Sequence, residues 1–137
     1  MRKQELDNWI KNGGDLPQNL TEDEKSYLKG LGWEVNEASY ANGQKHWDYN
    51  CLHGKLHGKY KCWHSNGQKG RVTHHLNGKR HGKYEWWHKN GQKRYEKCYH
   101  HGKKHGVWKS WDDDGTLYRH EEYAYGVFLK GFLKRTS

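Results

Sequence analysis

The sequence predicts a mainly β protein: an elongated antiparallel sheet of β-hairpin repeats, about seven or eight strands, with a short N-terminal helical segment. Three observations predict it. A 24-residue unit recurs in register from about residue 40 to residue 126, its turns carry Asn-Gly, and its apolar positions are aromatic. Hydrophobic residues make up only 31% of the 137, and the mean hydropathy is −1.43, so a large aliphatic core is excluded. Eight Trp and ten Tyr supply the burial instead, which also argues against disorder.

The first element is helical. Leu6, Trp9 and Ile10 stand at helical spacing within residues 2–11, and Gly13-Gly14 stops the run. Asp15-Leu16-Pro17 links it to Thr21-Glu22-Asp23-Glu24, a capping box that opens a second short helix through Tyr27, Leu28 and Leu31. Residues 1–35 are therefore expected to form a helical cap or docking segment, and residues 36–137 the repeat β domain, because repeat arrays need their ends covered. Charge divides along the same line. Residues 1–40 carry 5 Lys/Arg against 8 Asp/Glu, and residues 41–137 carry 20 against 8. A basic body suits an acidic partner.

The lattice follows. Asn42-Gly43, Asn66-Gly67 and Asn90-Gly91 are each followed by Gln-Lys, and Asp114-Gly115-Thr116-Leu117 is a degenerate fourth copy. Gly54, Gly78, Gly102 and Gly126 come eleven residues after these glycines, and Gly58, Gly82 and Gly106 four later still. Asn-Gly predicts a type I′ turn at each hairpin tip, because both central residues accept positive φ. That turn would set Trp63 opposite Gly70 and Tyr60 opposite Thr73. The second connections, residues 53–58, 77–82 and 101–106, read as longer Gly-rich loops at the opposite edge.

Period 24 stacks Tyr60, Tyr84 and Trp108 in one row, Trp63, Trp87 and Trp111 in another, and Cys51, His75, Tyr99 and Tyr123 in a third. Tyr60 and Trp63 are three apart, whereas strand side chains alternate with period two. The expectation is a bulge between them that bends the ribbon into a trough; the alternative is a sheet with aromatics on both faces. In this ladder Trp87→Ala is expected to cost more stability than Trp9→Ala. The tail residues Val127, Phe128, Leu129, Phe132 and Leu133 leave the repeat and offer an apolar edge, able to pair with a second copy in a homodimer.

Catalytic chemistry is not expected. Cys51, Cys62 and Cys98 lack paired spacing, no secretory leader precedes them, and no apolar run approaches the roughly 18–20 residues that span a bilayer. A soluble, intracellular protein with free thiols is the expectation. Twelve His occur without a second ligand pair or Cys-x-x-Cys, so neither metal nor cofactor is expected. Cys62 near His64 and Cys98 near His100 have no accompanying oxyanion loop. The Gly-Lys-x-His-Gly segments lack the spacing of a phosphate-binding loop. They do set Lys55, Lys79 and Lys103, with His57, His81 and His105, along one edge at about 10 Å intervals. Such a row could hold an acidic protein, anionic lipid headgroups or nucleic acid, and would gain charge in mild acid as its His titrate.

These residues resemble the MORN repeat variant: an aromatic-rich strand, an Asn-Gly turn, a second strand, then Gly-Lys-x-His-Gly. Gly58-Lys-Tyr-Lys-Cys-Trp-His-Ser-Asn-Gly-Gln-Lys69 and Gly82-Lys-Tyr-Glu-Trp-Trp-His-Lys-Asn-Gly-Gln-Lys93 carry the likeness, which covers about two thirds of the chain. The resemblance is to repeats found in bacterial antitoxin-like proteins and large DNA viruses. It implies an elongated antiparallel sheet acting as a scaffold for protein contacts, with lipid-headgroup binding proposed for some members. A non-enzymatic scaffold with a protein partner is the leading expectation, and an electrostatic binder of nucleic acid or anionic membrane the alternative.

Overall fold

The computed structural model describes residues 2–133. Two helices, α1 (Lys3–Asn12) and α2 (Glu22–Gly30), precede one open antiparallel sheet. Its strands are β1 (Trp33–Ser39), β2 (Lys45–Leu52), β3 (Lys55–Trp63), β4 (Lys69–Leu76), β5 (Lys79–Trp87), β6 (Lys93–His100), β7 (Lys103–Lys104), β8 (Gly106–Trp111), β9 (Leu117–Ala124) and β10 (Val127–Leu133). Neighbours in sequence are neighbours in the sheet, except that β7 and β8 both pair with β6. Ten strands replace the expected seven or eight. β1 begins inside the segment expected to be helical, the tail supplies β10, and one expected strand is broken into β7 and β8.

The two kinds of turn are the reverse of the expectation. At the Asn-Gly tip the His64 N–H donates to the Gln68 carbonyl at 2.8 Å and the Gly67 N–H to the His64 carbonyl at 2.9 Å. Only Gly67 has positive φ, +88°, so this is a three-residue loop, Ser65-Asn66-Gly67, closed by glycine in a bulge rather than a type I′ pair. The paired positive φ values occur at the other edge: His53 and Gly54 (52° and 74°), Asn77 and Gly78 (50° and 83°), His101 and Gly102 (46° and 84°), Tyr125 and Gly126 (47° and 89°). Two residues, not a long loop, reverse the chain there. The glycine four positions later lies within a strand. Between the pairs Tyr49–Tyr60 and Cys51–Leu56, the residues His57, Gly58 and Lys59 lie against Asn50 alone, and Gly58 takes φ +83° to allow it.

A second irregularity settles the faces. Tyr60 pairs with Thr73 as expected, but Trp63 pairs with Lys69, not Gly70. The extra residue is Gly70 on β4, and its equivalents are His46, Arg94 and Tyr118. β3 therefore keeps strict alternation from Tyr60 to Trp63, and no extra residue lies between them. Both faces carry aromatics.

The helices meet the sheet at its first strands. Leu6, Trp9, Leu28, Trp33 and Leu52 form the buried cluster, with Ile10, Leu16, Leu20, Tyr27 and Leu31 packed around it. Thr21 caps α2, accepting from the Glu24 N–H while the Glu24 carboxylate accepts from the Thr21 N–H. That carboxylate also accepts from the Arg2 guanidinium, which joins the two helices. Trp9 is 1% exposed whereas Trp87 is only half-buried, so burial favours the opposite order of the two Trp→Ala substitutions. The deepest aromatic belongs to the helix, because among the described residues only there does a second layer cover the sheet.

Candidate functional site

Hydrogen bonds spanning one repeat hold both edges. At the tips, the Asn42, Asn66 and Asn90 Oδ1 atoms each accept from the backbone N–H of the Gln two residues on, at 3.0 Å. Their Nδ2 groups donate to the Ser65, Lys89 and Asp113 carbonyls of the next tip. Gln44, Gln68 and Gln92 lay their carboxamides over Gly67, Gly91 and Gly115, again one tip further. Behind them the Tyr40 hydroxyl and the His64 and His88 Nε2 atoms bond the Trp63, Trp87 and Trp111 carbonyls.

The opposite edge uses histidine. Nδ1 of His57, His81 and His105 accepts from the backbone N–H of Asn77, His101 and Tyr125, the first residue of each following two-residue turn. His57 is buried and its Nε2 donates to the Trp9 carbonyl at 2.7 Å. The expected row of cations is thus divided. Lys55, Lys79 and Lys103 stay exposed, their stems lying against Gly78, Gly102 and Gly126, while the His rings turn into the fold. The expectation that the row gains charge in mild acid is corrected at His81: burial and the neighbouring His101 and His100 hold its pKa below the ordinary value. An Nδ1 that accepts a backbone N–H also loses that bond if it takes a proton.

His81, His100 and His101 bring three ligand atoms within 4.8 Å of one another. A metal on His81 Nε2 would need the proton on Nδ1, which already faces the His101 N–H. The staple and the metal compete for one tautomer.

The two faces differ in what neutralises their cations. The ladder face carries a chain of rings from β2 to β10. Tyr49 stacks on Tyr60 at 4.9 Å, and His75 joins Tyr60 to Tyr84 at 6.5 and 6.2 Å. Tyr84, Tyr99, Trp108 and Tyr123 follow at 5.2–5.3 Å steps, ending on Phe128 at 5.6 Å. Cations lie on these rings: Arg71 between Tyr60 and Trp86, Arg80 between Tyr84 and Tyr99, Lys97 between Tyr95 and Trp108, Lys104 between Trp108 and Tyr123, all within 4.2–5.6 Å of a centroid. Among the described residues none of the four makes an ion pair. Burial lowers the Lys97 pKa, and crowding by Arg119, Lys104 and Arg80 lowers it further. His75, 8% exposed, is pushed down to about 4 by burial and by His74, Arg80 and Arg71.

The opposite face, the groove face, carries Trp63, Trp87 and Trp111. Several of its cations have carboxylate partners: Lys45 with Asp48 and Glu37, Lys59 with Asp15, Lys93 with Glu85 and Glu96, Lys130 with Glu122. The six ladder aromatics read from the sequence therefore split three and three between the faces. Arg71, Arg80, Lys97 and Lys104 were missed. Their signal was parity: once Tyr60 faces Thr73, alternation puts Arg71 on the same side.

Exposed large apolar side chains concentrate at the far end, where Val127, Phe128, Leu129 and Phe132 are 46–62% exposed. All three Cys are free thiols. Among the described residues, no helix is long and apolar enough to cross a membrane.

Neither a curated protein nor a solved structure matches the chain. A family model, the MORN repeat variant, matches residues 56–69, 80–101 and 104–125. Repeats of this kind are in general modules that bind protein or membrane lipid rather than enzymes. With matched segments running from β3 into β9, over the same hairpins that the staples link, the chain belongs to the MORN-variant repeat proteins.

Proposed function

We propose that the chain is a non-enzymatic scaffold whose ladder face docks an acidic segment of a protein partner. The observation that carries this reading is the set Arg71, Arg80, Lys97 and Lys104, four cations held over rings without a carboxylate among the described residues. With Arg119, which Glu121 on the same face pairs at 3.1 Å, they cross from β4 to β9, a path of about 19 Å at the usual strand spacing. About six residues of an extended acidic segment would cover it. Base stacking suits this face poorly, because Tyr99 and Trp108 are only 8% and 6% exposed. Three free thiols favour a reducing compartment as its place of work.

The test is fluorescence anisotropy of a labelled oligoglutamate peptide, at low and physiological salt, against wild type and an Arg71→Gln/Arg80→Gln variant. Saturable binding that the variant loses is the expected result. Equal binding by both removes the ladder face from the proposal. If Lys55→Gln/Lys79→Gln/Lys103→Gln abolishes binding instead, the turn edge is the site.

A second reading, self-association, rests on the exposed apolar side chains of β10 and its open strand edge. Sedimentation of wild type and Phe128→Lys tests it, with a dimer lost in the variant as the expected result.

A further inference from the structure

The groove face holds a feature that docking on the ladder face does not use. Trp63 and Trp87 stand at equivalent positions two strands apart, about 10 Å at the usual strand spacing. Val72 forms the floor between them, paired with Lys61 on one side and Glu85 on the other. Together they bound an open groove of about 470 Å³, within the range of small-molecule sites.

Its rim is basic. Lys59, Lys61, Lys69 and Lys83 line it with His74, against the single carboxylate of Glu85, which accepts from Lys93 at 2.8 Å. Lys59 is paired with Asp15 at 2.6 Å. Among the described residues, Lys61, Lys69 and Lys83 have no ion pair. Asp15 registers the field of the rim: its carboxyl is held below the ordinary value chiefly by Lys59, with Lys61 and His74 adding to it.

The repeat supplies its own control. One unit further on, between Trp87 and Trp111, the positions of Lys61, Val72 and His74 are held by Glu85, Glu96 and Cys98, and that of Lys83 by Val107. The strand register repeats while these charges do not. Lys93 stands where Lys69 does, so of the three unpaired lysines it is Lys61 and Lys83 that the repeat does not require.

We propose that the Trp63–Trp87 groove binds a nucleoside phosphate, its planar base against an indole wall and its phosphates on Lys61, Lys69 and Lys83. Flat apolar walls and unpaired ammonium groups within one small groove match a ligand that is planar at one end and polyanionic at the other. Lys69 stands 5.7 Å from the Trp87 centroid, whereas Lys45, 5.5 Å from that of Trp63, is tied to Asp48 and Glu37.

Isothermal titration of the full chain with ATP, AMP, adenosine and inorganic tripolyphosphate tests this, with tryptophan fluorescence read in parallel. Saturable ATP binding with indole quenching is expected, and about tenfold or more weaker binding of adenosine and of tripolyphosphate. The variant Lys61→Glu/Lys83→Val puts in place the residues that the next unit carries, and should lose about tenfold or more of the ATP affinity. Lys109→Glu, outside the groove, and Arg80→Gln, on the ladder face, should leave it unchanged. Tripolyphosphate binding as tightly as ATP, or a Lys61→Glu/Lys83→Val variant that binds ATP as wild type does, overturns the proposal. So does a single-stranded oligonucleotide that outbinds ATP by more than its number of nucleotides, which would make the groove part of a nucleic-acid surface.

Discussion

Gly58, Gly82 and Gly106 occupy one lattice position in three surroundings, so replacing each by alanine separates the cost of the backbone from the cost of what lies above it. All three have positive φ, +83°, +101° and +77°. An L residue there costs roughly 1–2 kcal/mol, and that charge is common to the series. A Cβ at Gly106 would meet only the Cys98 Cβ at 3.7 Å, an ordinary contact. At Gly82 the His74 Cβ lies at 3.3 Å, close enough that the neighbour must give slightly. At Gly58 the Trp9 Nε1 lies at 2.6 Å and the Gly14 carbonyl oxygen at 3.0 Å. Trp9 is buried on all sides and cannot step back, so overpacking adds about 1–3 kcal/mol. The expected order is Gly106→Ala at about 1–2, Gly82→Ala slightly more, and Gly58→Ala at about 2–5 kcal/mol. Equilibrium urea unfolding followed by circular dichroism measures each. Equal losses across the three would refute the close seating of α1 on Gly58 and with it the placement of the helical segment.

The same packing gives Trp9→Ala a loss of about 3–5 kcal/mol, against roughly 1–2 for the half-buried Trp87→Ala, in the same unfolding assay. Asn66→Ala removes both the acceptor for the Gln68 N–H and the donor to Lys89 and should cost about 1–2 kcal/mol; Asn66→Asp keeps the acceptor and should cost less, as thermal melts would show. For His75 the folded pKa of about 4 lies below the ordinary value of 6.5, so the unfolded chain binds the proton first. Its contribution is complete above about 6.5 and is lost as pH falls towards 4. NMR titration should place the His75 midpoint near 4, and His75→Gln should flatten the stability profile over that window.

The sequence carried the period, the order of elements and the helical caps, because glycines at fixed offsets and a capping box are local demands. The turn types were misread for a physical reason. The pair Asn-Gly suggests a residue chosen for its φ, whereas it is the Asn66 side chain that acts, accepting from the Gln68 N–H and donating to the next tip. The bulge was not legible either: His46, Gly70, Arg94 and Tyr118 share no chemistry, since that position asks for no special φ. With the bulge unplaced, the faces could not be separated, and the cation strip on the ladder face stayed hidden. The orientation of His57, His81 and His105 depends on a backbone N–H twenty residues on, which no local pattern announces.

Among the described residues every tip staple runs forward, from one hairpin to the next, and the residues that make it change at the tip between β8 and β9. Asp114 stands where Asn stood, accepting from Thr116 as its equivalents do, and Thr116 replaces the Gln that would have covered a following glycine. A carboxylate without donors and a shorter side chain can receive a staple but not send one, so among the described residues this tip closes the series. A duplicated 24-residue unit inserted ahead of it would find acceptors for its staples on one side and donors on the other. Reach along the sheet could then change in steps of one hairpin, with the contacts of the helices untouched.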